Sequence, residues 1–89
     1  MENKQILGAL AMDLKRIALS LHRGSTTVAS KFVEEAEKRM NEVDRSRLLP
    51  YMRETLKKIQ STLSHEDMDK KAEDALMYSA IVQNYIVYK

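Results

Sequence analysis

Leu7, Leu10, Leu14, Ile17 and Leu21 recur at intervals of three and four residues, the spacing that puts side chains on one face of a helix. Ala11 and Ala18 lie beside this seam and allow a neighbour to approach closely, while Met12 and Leu19 fall on the opposite side. The pattern predicts a helix over residues 3–22, stopped by Gly24 in the left-handed cap position. A second stripe, Ala29, Phe32, Val33, Ala36, Met40 and Val43, predicts a helix over 26–43 with an N-cap among Ser25, Thr26 and Thr27. Its outer face offers Glu34 to Lys38 and Glu35 to Arg39 as i, i+4 pairs. Pro50 is tolerated only near a helix start, so the third helix is expected over 48–63, along Leu49, Met52, Leu56, Ile59 and Leu63. Ser64 is read as the N-cap of a fourth helix over 65–87, whose inner stripe is Met68, Ala72, Ala75, Ser79, Val82 and Ile86.

The pattern changes character in the last helix. From Ala75 to Tyr88 the chain reads ALMYSAIVQNYIVY, with 11 apolar residues out of 14 and no charge. A helix of a four-helix bundle buries about three positions in seven. The inner stripe already meets that need, so Leu76, Tyr78, Ile81, Tyr85 and Val87 are expected to point away from the core and form an interface. A patch of that size on a monomer is an association hazard, and the economical cover is a second copy related by a two-fold axis. Met12 and Leu19 are candidates to join it.

Composition narrows the class. Two glycines and one proline in 89 residues disfavour tight hairpins, and good helix formers dominate. Four helical stripes with short connections predict an all-α, up-down-up-down four-helix bundle in a single domain, 1–89. The chain has no cysteine, so disulfides and thiolate metal sites are ruled out and a cytoplasmic setting is expected. No apolar run reaches the roughly 20 residues that span a bilayer, so no membrane association is expected.

Net charge is +2, distributed in blocks that alternate in sign and suit neighbouring antiparallel helices. The most basic block, 45–63, contains Arg45, Arg47, Arg53, Lys57 and Lys58. Such a cluster is what phosphate binding requires, and nucleic-acid recognition is the alternative functional reading. The opposing reading is that these cations face the acidic second and fourth helices.

Catalytic signals are sparse. His65-Glu66-Asp67-Met68-Asp69 lacks the second histidine of H-E-x-x-H and the glycine and terminal glutamate of a calcium loop, so no metal and no cofactor are expected. Arg16 and His22 have the spacing R-x(4–6)-H and resemble, over seven residues, the catalytic motif of the HEPN family of helical-bundle ribonucleases. That resemblance implies acid–base work for His22 and phosphate stabilisation by Arg16, in a site composed from two protomers. The motif lies here on the first helix rather than late in the bundle, and Ile17 follows the arginine where a polar residue is common. The reading favoured by the sequence is a small non-catalytic interaction protein, homodimeric and open to a further protein partner. A minimal ribonuclease or toxin–antitoxin component stands as the remote alternative.

Overall fold

A computed structural model describes residues 2–88, which form four α-helices: α1 Asn3–His22, α2 Thr26–Glu42, α3 Pro50–Leu63 and α4 Met68–Tyr88. They pack as a four-helix bundle measuring 36 × 21 × 20 Å. Successive helices run antiparallel. Asp13 meets Arg39 and Arg16 meets Phe32 between α1 and α2. Tyr51 at the start of α3 meets Tyr85 at the end of α4. Ser79 on α4 bonds to Ala11 on α1, and Ile86 lies beside Gly8.

The core is built from the seams expected of α1 and α3. Leu7, Leu10, Leu14 and Ile17 are buried, as are Met52, Leu56, Ile59 and Leu63. Ala36 and Met40 of α2 and Ala75 and Val82 of α4 complete it. Helix α1 is central and packs along both α2 and α4, whereas α3 leans mainly on α4.

Each junction has a local cause. At the end of α1, Gly24 adopts φ +76°, where a side chain is disfavoured. The N–H of Ser25 then donates to the Ser20 carbonyl (2.9 Å) and that of Gly24 to Leu21 (3.0 Å), a complete Schellman cap. Ser25 flanks α2 but makes no side-chain cap. Of the two outer-face pairs expected on α2, Arg39 with Glu35 forms, at 3.7 Å.

Four boundaries differ from expectation, the smallest difference being the end of α4 at Tyr88 rather than residue 87. Helix α2 ends at Glu42, because Val43 turns to extended backbone. The third helix begins at Pro50 rather than residue 48, because Arg45–Arg47 form a separate 3-10 turn. Asp44 caps that turn, accepting from the Ser46 N–H and hydroxyl at 3.1 and 2.6 Å. Leu49 is then the extended residue before the helix and half exposed, and Leu48 enters the core instead. The fourth helix starts at Met68 rather than residue 65. Ser64 serves as the C-cap of α3, and Asp67 takes the capping role by accepting from the N–H groups of Asp69 and Lys70.

Candidate interaction surface

Helix α4 meets α1 through small side chains. Ala72, Ala75 and Ser79 are buried on its inner face, opposite Gly8, Ala11 and Ala18 of α1. The Ser79 hydroxyl donates to the Ala11 carbonyl at 2.7 Å in this buried seam, so the two backbones lie close together. The close approach also brings the outer sides of α1 and α4 into one surface.

The five residues expected to form an interface divide into two groups. Leu76 and Val87 are exposed, at 45% and 61%. Tyr78, Ile81 and Tyr85 are instead half buried and packed against the core. The arc of α4 that turns toward α3 is wider than a three-in-seven stripe, because α3 lies along the side of α4 and barely meets α2. Tyr85 shows this directly. Its hydroxyl accepts from the Leu49 N–H at 3.2 Å, and its ring meets Tyr51 edge-on with centroids 5.6 Å apart. It therefore pins the start of α3.

From Ala75 to Tyr88, the uncovered part of α4 consists of Leu76, Met77, Ala80, Val87 and Tyr88 with the uncharged Gln83 and Asn84. Met77 and Ala80 were missed by the sequence reading, although Leu76, Ala80, Gln83 and Val87 repeat at 4-3-4 intervals, the signature of a second seam. Met12 and Leu19 of α1 are exposed on the same side. Between the helices, Met12, Lys15, Leu76, Ala80 and Gln83 line a shallow groove of about 410 Å³ with Ala11 and Ser79 at its floor.

The basic cluster is largely engaged within the chain. Arg53 donates to the carbonyls of Leu48 (2.6 Å) and Arg45 (3.3 Å), fastening the 3-10 turn to α3. Arg45 donates to the Met40 carbonyl at 3.2 Å, near the C-terminal end of α2, where a cation is favoured by the helix dipole. Lys57 pairs with Glu54 at 3.3 Å and Arg47 with Asp44 at 3.7 Å. Lys58 is exposed and has no ion-pair partner within 4.0 Å among the described residues. Arg47 also borders an open cleft of about 860 Å³ at the start of α1, where Glu2 and Asp44 offset Lys4 and Arg47.

Arg16 and His22 have separate surroundings. The Arg16 guanidinium lies 5.5 Å from the centre of the Phe32 ring, a cation–π contact between α1 and α2. His22 is exposed in the last turn of α1. One turn earlier than Arg16, Asp13 is buried with its carboxylate 3.8 Å from Arg39 Nε, and neither atom has a hydrogen-bond partner. Burial pushes the Asp13 carboxyl above its ordinary value, against the pull of Arg39 and with a further push from Glu35. Among the described residues, no group of three or more metal-ligating side chains occurs and no helix is long and apolar enough to cross a membrane.

No family model, curated protein or solved structure matches the chain.

Proposed function

We propose that this protein is a non-catalytic interaction module that acts as a homodimer through the outer face shared by α1 and α4. The observation that carries the reading is the uncovered, uncharged stretch of α4. Leu76, Met77 and Val87 stand exposed, as do Met12 and Leu19 on α1, and Leu76 and Met12 line one groove between the helices. Apolar side chains aligned at helical spacing along two packed helices suit a helix-against-helix partner. The uncharged Gln83 and Asn84 favour a second copy, since an amide both donates and accepts and so can pair with its own kind. The same reading keeps the cytoplasm as its place of action.

The nucleic-acid alternative draws less support, since four of its five cations already bind carbonyls or carboxylates of the same chain. For the HEPN-like alternative, Arg16 packs against the Phe32 ring and His22 lies exposed at the end of α1, with no contact between them to support a joint site.

Sedimentation of paired variants tests the proposal. Leu76→Glu places a charge on the outer face and is expected to yield folded monomers with unchanged helical circular dichroism. Ile81→Glu places it on the half-buried side and is expected to lower stability instead. Association unaffected by Leu76→Glu would remove this face from the interface.

A further inference from the structure

The α1–α4 face is apolar in its middle apart from Lys15, with Lys4 toward one end and Asp69 and Glu73 toward the other. The position of Ile86 beside Gly8 and the Ser79–Ala11 hydrogen bond fix the register of the antiparallel pair. Lys4 shares a cleft with Tyr85 and Ile86 near the C-terminal end of α4, and Asp69 and Glu73 lie in the first two turns of α4, at its opposite end. All three charges are exposed, and none has an ion-pair partner within 4.0 Å among the described residues. Ala80, the smallest residue of the outer α4 seam, lies about halfway between them.

We infer that the covering copy lies antiparallel across this face, with the two-fold axis near Ala80, so that Lys4 of each copy meets Glu73 and Asp69 of the other. This inference rests on the self-association proposed above and adds its geometry. A two-fold axis at the middle of the face turns the basic end of one copy onto the acidic end of the next, and it forms the contact twice. A parallel arrangement would set like charges side by side, which is unfavourable. The small side chain at the axis lets the two α4 helices approach closely, as Ala11 and Ser79 do within the chain. Lys15, one step from the axis, then faces the neutral side chains of Gln83 and Asn84 rather than another cation.

Charge reversal tests this arrangement. Lys4→Glu and Glu73→Lys should each weaken dimerisation about tenfold at low salt, as two symmetry-related rim contacts turn repulsive. The combined variant Lys4→Glu/Glu73→Lys should return to within about threefold of the wild type, since each contact regains opposite charges. The readout is the dissociation constant from sedimentation equilibrium, with circular dichroism confirming the fold of every variant. A wild-type dimer whose combined variant is as weak as the single ones, or weaker, would overturn the antiparallel geometry while leaving self-association standing. A monomeric wild type at micromolar concentration would overturn both.

Discussion

Helices α3 and α4 contribute to the same core by opposite means. Helix α3 inserts large side chains, with Met52, Leu56, Ile59 and Leu63 all buried. Helix α4 presents Ala72, Ala75 and Ser79 to α1 and packs backbone close to backbone. The difference decides what each helix shows to solvent. The outer face of α3 carries Glu54, Lys57 and Lys58 and needs no cover. The outer face of α4 carries Leu76, Met77 and Val87, so the small-residue seam on one side of that helix is matched by an unpaired apolar seam on the other.

The contrast can be broken most strongly in α3. Leu56→Ala should cost about 2–5 kcal/mol in urea unfolding, because it removes buried methyl groups and leaves a cavity. In the tight seam the sensitive change is enlargement: Ala75→Leu should cost about 1–3 kcal/mol through overpacking. An enlargement at an exposed small position of α3, Ser61→Leu, should have little effect, and a large loss there would blur the distinction. Gly8→Ala is expected to gain about 0.5–1 kcal/mol, because alanine fits a helix interior better than glycine. A Cβ at Gly8 would meet Ile86 at 3.9 Å, an ordinary contact, so a loss there would mean that the seam is tighter than it looks.

The subtlest test concerns α1 and α2. Asp13 has its pKa raised by burial, so the stability it contributes is full below its unfolded value of 3.8 and lost as pH rises through the higher folded value. Asp13→Asn should therefore raise the melting temperature at neutral pH and flatten the pH profile in that acidic window. Asp44 has the opposite sign. Its hydrogen bonds from Ser46 lower its pKa, so its contribution is present at neutral pH and lost as pH falls through the folded value.

Much of this architecture was legible in the residue pattern. The stripes of α1 and α3 forecast their buried faces because leucines at three- and four-residue spacing have one physical solution in a small chain, and Gly24 forecast its own backbone conformation. The junctions were less legible. Ser64 and Asp67 are both good caps, and the choice between them depends on where α3 runs out of partners. The outer surface of α4 was least legible. Counting apolar residues identified an excess but could not say which side α3 would cover, and so Tyr78, Ile81 and Tyr85 were assigned outward while Met77 and Ala80 were passed over. The local roles of the basic cluster were hidden for a related reason, since composition cannot reveal that Arg45 and Arg53 reach back to carbonyls of their own chain.

Sedimentation equilibrium of the wild-type chain and Leu76→Glu, over a micromolar concentration series, addresses the central claim most directly. The wild type should approach twice the 10.3 kDa of one chain while Leu76→Glu stays near that mass with its helical content intact. A wild type that remains at one chain mass throughout would contradict the claim, as would a variant that associates as well as its parent.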